Sequence, residues 1–424
     1  MEKKGMKGKK SRKIGRREFL KLSGVVATSV AVSGIGSITR AQGKEILVGN
    51  LCPLSGFMAK EGHLMKLGND LAVTEINERG GIKSLGGAKI RLIYDDTEAK
   101  PEVGMRATER VVNKGVVALM GVYPSAVGFA CSQVAEKHKV PYINQWSTSD
   151  KITARGFRYL FSLNGKASWY ARDHVAFLSW LRDEKKIKVN TVALLFEDTL
   201  WGQTYKAGMI EHLNKNGFKV VVDQSFPASV TDITPTLTKI KAINPDIFIP
   251  GGYDSDAILT VKTMQEIDFN GNMVAASAGY ISAAYVKELG KRADYSYSTI
   301  EWINDLKKPF VKEATENMMK RYNTQMLSHA AGTYSCTYVL ADALERAGSI
   351  DRDAIRDALA KTKLTGGPAL IMPYKAIEFD EAGQNIHARI LVGLLLDGKW
   401  RTVWPEEYAS QKLIWPIPKW KERK

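Results

Sequence analysis

The chain has 424 residues, 44% of them hydrophobic and 25% charged, with a formal net charge of +16. That length suits two domains, and the composition is that of a water-soluble globular protein. Residues 1–42 hold 11 Lys and Arg against 2 acids, a net +9, so the body carries only +7. No basic block there is interleaved with aromatics, which argues against a nucleic-acid partner.

The first segment reads as a targeting signal. SRKIGRREFLKLSG is followed by the apolar run VVATSVAVSGIGSI and then TRAQG. A charged start, a short apolar stretch and a small-residue cleavage pattern predict an exported protein. Arg16-Arg17 before Glu18-Phe19-Leu20-Lys21 resembles the twin-arginine motif, with Thr39 and Ala41 as the −3/−1 pair and cleavage near Ala41. The run is short and diluted by Gly, Ser and Thr, which suits a cleaved signal better than an anchor. A periplasmic location follows as an expectation.

Strands and helices then alternate. EILVGNL is a strand, and LMKLGNDLAVTEINERG a helix with apolar residues at Leu64, Leu67, Leu71 and Ile76, closed by Gly80-Gly81. AKIRLIYDD, VVALMG and VPYIN are strands, separated by the helices VGMRATERVVNKG and SAVGFACSQVAEKH. FRYLFSL leaves this first series. A second follows, with strands TVALLFED, FKVVVDQSF, PDIFIPGG and NMVAASA between helices. Residues 309–361 are almost wholly helical, and ARILVGLLL and KWRTVWP end the chain as strands around Asp397-Gly398. The Lys-rich end KWKERK reads as a solvated tail. The order βαβα, twice over, predicts an α/β protein of two doubly wound parallel-sheet lobes.

In such sheets ligands sit beyond the carboxyl ends of the strands. The first lobe offers Ser125 after Gly121-Val122-Tyr123-Pro124, and Trp146, Ser147 and Thr148 after Asn144-Gln145. The second offers Glu197 and Trp201, then Tyr253 and Asp254 after Gly251-Gly252, then Tyr280 after Ser277-Ala278-Gly279. Hydroxyls at helix N-termini favour an anion, while aromatic faces and acids favour apolar bodies and cations. A zwitterion or small carboxylate fits between them. Each Ser or Thr taken alone is equally a helix cap.

Enzyme signals are missing. There is no GxSxG elbow, no phosphate-binding GxxxxGK[ST] loop and no HExxH. His138, His174 and His212 fall within helices. Asp254 and Asp256 read as helix-start acids rather than a metal pair, so no metal or cofactor is expected. Cys52, Cys131 and Cys336 match no zinc spacing and read as small buried residues, with a disulfide between two of them open in an exported compartment.

The stretch LSGFMAKEGHLMKLGNDLAVTEINERGGI, with VALMGVYPSAV, VPYINQWSTSDKITARGFRYLF, VALLFEDTLWGQTY and PDIFIPGGYDSDA, resembles the branched-chain amino acid binding proteins of the type I periplasmic binding fold. The similarity spans nearly all of residues 44–405. It implies that the chain crosses between the lobes three times, through a three-strand hinge. One lobe would be 44–163 with 299–373, the other 166–298 with 376–424. It also implies a non-enzymatic, monomeric solute receptor that delivers its ligand to an ABC permease. By resemblance Ser125 meets a ligand carboxylate, Ser147 and Thr148 supply hydroxyl and backbone contacts, and Trp201 and Tyr253 cover the ligand.

The chain departs from the family pattern at four places. The family's glutamate for a ligand ammonium is absent from Ser277–Tyr280, with Asp254 or Glu197 as substitutes. Phe57 stands where proline is usual, Glu61 near where an aromatic can occur, and Trp146 where a small residue is common. These departures keep aromatic acids, amides and urea open as ligands beside amino acids. A ligand-sensing receptor of the same fold is the other reading.

Overall fold

A computed structural model describes residues 45–228 and 230–423. The proposed export signal, Arg16-Arg17 and the cleavage position at Ala41 lie outside the described residues.

The first series is β1 (Ile46–Cys52), α1 (Ala59–Glu78), β2 (Ile90–Asp96), α2 (Pro101–Val112), β3 (Ala118–Gly121), α3 (Ser125–Lys137), β4 (Tyr142–Asn144) and β5 (Leu160–Ser162). Its strands form one parallel sheet in the order β2-β1-β3-β4-β5. Because β1 lies between β2 and β3, the connections leave it on opposite faces, which opens a crevice at the strand ends. β1, β3 and β4 are buried almost throughout, as a parallel sheet covered on both faces requires.

The second series is α4 (Ala167–Asp183), β6 (Thr191–Glu197), α5 (Leu200–Lys215), β7 (Lys219–Phe226), α6 (Thr234–Ile243), β8 (Ile247–Gly251), α7 (Asp254–Glu266), β9 (Val274–Ala276), α8 (Ala283–Leu289) and β10 (Tyr297–Ile300). β6 sits between β7 and β8, repeating the switch of the first sheet. A parallel bridge from Phe248 to Met273 carries the order on to β9 and β10.

The chain then returns to the first lobe as α9 (Val311–Tyr322), α10 (Ser328–Ala347), α11 (Arg352–Ala360) and the short pair β11 (Lys363–Leu364) and β12 (Ile377–Glu378). α10 lies along α1 at close range. A Cβ on Gly68 would sit 2.1 Å from the Ala330 carbonyl oxygen, so only glycine permits the approach. Thr333 Oγ1 donates to the Met65 carbonyl (2.8 Å), and Thr337 Oγ1 to Asn69 Oδ1 (2.9 Å). Buried Glu75 accepts from the hydroxyls of Tyr334 and Tyr338, each 2.7 Å, and from Asn317 Nδ2 at 2.8 Å. The antiparallel hairpin β13 (Leu391–Leu396) and β14 (Lys399–Trp404) closes the second sheet beside β10.

The chain passes between the two cores at three places, near residues 163–167, 297–300 and 388–390. Leu163 belongs to the first core and Ala167 to the second. Tyr297 belongs to the second and Ile300 to the first, and Ala388 to the first and Ile390 to the second. Residues 377–388, placed in the second lobe by the sequence reading, pack on the first. Ile377 and Phe379 enter its core, and Gln384 Nε2 donates to the Asn164 carbonyl at 2.6 Å. The tail is not a solvated end: Trp420 Nε1 donates to the Phe269 carbonyl (2.8 Å), and Arg423 covers the Trp420 ring at 3.7 Å. All three cysteines are free and buried. Among the described residues no helix is long and apolar enough to cross a membrane, and no cluster of His, Cys, Asp and Glu is arranged to hold a metal.

Candidate functional site

The carboxyl ends of the two sheets face each other across a cleft. Its walls include Tyr123, Ser125, Trp146 and Thr148 from the first lobe and Trp201, Tyr253, Ser277 and Ala278 from the second. Ile281, Glu301 and His329 complete it. The lobes touch across the opening. Ser149 Oγ lies 2.9 Å from Thr204 Oγ1, and the Tyr123 and Tyr253 rings meet edge to face at 6.2 Å. The cavity between them is about 20 Å³.

Ser125 stands at the first turn of α3. Its Oγ accepts the backbone N–H groups of Thr148 (3.1 Å) and Ser149 (3.2 Å). Those bonds occupy the oxygen's lone pairs and leave its O–H as a donor. Ser147 does different work. It is 1% exposed, lies outside the cavity lining, and donates its hydroxyl to the Val122 and Pro124 carbonyls at 3.1 Å each. It ties the loop after β4 to the loop after β3, and so fixes where Ser125 and Thr148 stand.

Trp146 lines the cleft but spends its polar atom on the protein, donating Nε1 to the His329 carbonyl at 3.2 Å. Its ring lies 4.7 Å from the His329 ring. A Cβ on Gly332 would fall 2.4 Å from Trp146 Cζ2, so the bare backbone of α10 makes the slot that receives the indole. The bulk of Trp146 is absorbed by this slot.

In the second lobe Trp201 and Tyr253 lie with ring centroids 5.9 Å apart. Glu197 does not face the cleft. Its Oε1 accepts Thr199 Oγ1 at 2.9 Å and the Gly202 N–H at 2.7 Å, and its Oε2 accepts the Thr199 N–H at 2.5 Å, so it caps α5. Tyr280 is 1% exposed and packs on Tyr285 at 5.7 Å inside the second lobe, away from the cavity. The short helical turn that begins at Ala278 carries its ring inward. Asp254 lies beside the cleft rather than in its lining. Burial raises its carboxyl to about 6 and, with Asp254 nearby, raises that of Glu61 on α1 to about 7. Ser277 and Ala278 take left-handed φ values of 46° and 49°, uncommon for residues with a Cβ. Strain of this kind gathers at ligand sites.

Sequence reasoning missed Glu301. It is 7% exposed and follows β10 at the passage between the lobes. Ser277 Oγ donates to Oε1 at 2.7 Å, and Ser328 Oγ stands 3.5 Å from Oε2. No cation pairs with it among the described residues, and burial raises its carboxyl above the ordinary range. His329 beside it is buried and pushed down to about 4, so it is neutral at pH 7 and gives no positive charge. The signal in the sequence is YSTIEWIN, where an acid interrupts a β-branched and aromatic run.

Residues 45–395 match the periplasmic binding protein family. The chain is 27% identical over 404 residues to Leu/Ile/Val-binding protein homolog 7 of Brucella suis biovar 1 (strain 1330), covering 92% of this chain and 99% of that one. It is similar in fold to the branched-chain amino acid transporter substrate binding protein LivJ of Streptococcus pneumoniae in complex with isoleucine. That likeness has a TM-score of 0.74 and 23% identity, over 85% of this chain and 100% of the other. It is similar also to a solute binding protein of an ABC transporter from R. palustris in complex with benzoate. Here the TM-score is 0.73 and the identity 17%, over 87% of this chain and 100% of the other. With two doubly wound sheets meeting at a cleft and a family match over most of its length, the chain belongs to the periplasmic binding protein family.

Proposed function

We propose that this protein is an extracytoplasmic solute receptor of an ABC importer and that its solute is an amino-acid-like zwitterion. The observation that carries the ligand class is the buried, cation-free carboxylate of Glu301 in the same cleft as the O–H donor of Ser125. A carboxylate held away from water without a cation is costly, and a ligand ammonium offsets that cost. Glu301 therefore takes the role left vacant at Ser277–Tyr280. Ser125 and Thr148 hold the ligand carboxylate, and Trp201, Tyr253 and Tyr123 enclose its side chain. The names of the Brucella relative and the isoleucine complex support this reading.

The receptor is exported by the twin-arginine route, cut near Ala41, and acts in the periplasm as a monomer without chemistry of its own. The lobes part and close about the three passages, and the closed face is what a permease recognises.

A second reading is favoured by the aromatic cluster and the benzoate-bound neighbour. Here Glu301 is protonated and the solute is an aromatic carboxylate lacking an amine.

A thermal-shift screen of residues 43–424 separates the readings, using isoleucine, phenylalanine, benzoate and urea. A ligand at 100 times its Kd adds about 2.7 kcal/mol of stability. A shift with the amino acids supports the first reading, and a shift with benzoate alone supports the second. If no compound shifts the transition, both fail.

A further inference from the structure

A second cavity lies behind the solute cleft and is far roomier, about 680 Å³, within the range of roughly 300–1,000 Å³ usual for small-molecule sites. The two are back to back. Ile300 and Trp302 line this cavity while Glu301 between them lines the cleft, and Ser328 and His329 divide in the same way. Ile281 touches both.

The inner wall is apolar, formed by Trp302, Ile303 and Met326 of the first lobe, all nearly fully buried, and by Val286 of α8. Trp302 has its N–H satisfied by the Ile371 carbonyl at 2.9 Å. Trp400, also in the lining, has a buried Nε1 with no hydrogen-bond partner among the described residues. Three cations stand in the lining, Lys287, Lys399 and Arg401, and none is ion-paired among the described residues. Its one carboxylate, Asp305, is already engaged by the Thr402 N–H (2.8 Å), the Thr402 hydroxyl (2.6 Å) and the Ser410 hydroxyl.

We propose that this cavity is a second binding site, for a small carboxylate or sulfonate carried on an apolar body. The uncompensated cations select the anion, and the apolar inner wall takes the body. The walls come from both lobes, so a molecule held here fixes their relative position and changes the affinity of the solute cleft. By linkage, a solute in the cleft changes the affinity of the second site by the same factor.

The test is fluorescence titration of the protein with 1-anilinonaphthalene-8-sulfonate, followed by displacement with decanoate and with 2-naphthoate. The ranking of the two competitors reports whether the body is aliphatic or aromatic. The expected result is saturable displacement by at least one of them, weakened more than threefold in the double variant Lys287→Gln/Arg401→Gln and changed less than threefold in Lys215→Gln, an exposed cation outside both cavities. Lys287 is exposed and Arg401 half-buried, so a thermal melt checks that the double variant folds, and Lys287→Gln alone carries the test if it does not. Three results would overturn the proposal: no displacement in the wild type, a folded cation variant within threefold of it, or an equal loss in Lys215→Gln. The titration needs no solute, so it stands even if the amino-acid reading fails.

Discussion

Replacing Glu301 by Gln tests the central electrostatic argument with almost no change of shape. In the wild type the carboxylate is 7% exposed, with one good hydrogen bond from Ser277 and a long one from Ser328. If a ligand ammonium is its partner, the substitution leaves that ammonium buried against a neutral amide. Removing one member of a buried charged pair costs roughly 2–5 kcal/mol. At about 1.4 kcal/mol per tenfold, amino-acid affinity falls between about 30-fold and several thousandfold. The free protein responds in the opposite sense. A carboxyl whose folded pKa is raised contributes stability that is fully present below its unfolded value, near 4.5, and is lost as pH rises through the folded value. Glu301→Gln removes that loss, so the unliganded variant melts higher than the wild type at pH 7.5 and no higher at pH 4. Calorimetric titration with isoleucine and thermal melts at the two pH values measure both effects. A variant that binds the amino acid within threefold of the wild type would refute the ammonium assignment. One that binds benzoate as well as the wild type while losing isoleucine would support it.

Ser125→Ala removes an acceptor from two backbone N–H groups and the O–H offered to the ligand, so carboxylate affinity should fall at least tenfold. Stability should fall by about 1–3 kcal/mol, read by urea unfolding. An unchanged affinity would return Ser125 to a capping role. Gly332→Ala places a Cβ against Trp146 and Gln145 and should cost about 1–3 kcal/mol, with a shift in tryptophan emission. An unchanged unfolding midpoint would mean that the slot is looser than its geometry. Glu61 and Asp254, raised to about 7 and about 6, make the unliganded protein lose stability as pH rises from about 4 to 7. The pair Glu61→Gln and Asp254→Asn should flatten the melting temperature over that window, and an unaltered slope would refute the coupling.

The alternation of strands and helices was legible because each strand is a short buried apolar run and each helix shows one apolar face. The strand ends then pointed to Ser125, Thr148, Trp201 and Tyr253, which the fold brings to one cavity. Tyr280 and Ser147 were misplaced for a local reason: a strand end names a neighbourhood, and a short helical turn or a loop clamp decides which side chains face it. Trp146 looked like a clue to the ligand until Gly332, nearly two hundred residues away, supplied the slot. Glu301 was hidden because its strand is a passage between lobes, and periodicity within a segment carries no sign of what that segment will face.

The pairing of α1 with α10 reaches beyond the resting structure. Met65 and Thr333 are 268 residues apart, and the core that α1 needs is also filled from Ile355 and Ile371. A growing chain that has emitted only residues 45–163 has made a sheet and an apolar helix face with nothing to lay against it. Such long-range closure is slow and leaves apolar surface open in the interval. The first lobe therefore completes itself only after the second has been made, and a truncation before residue 330 leaves a sticky fragment, not half a receptor.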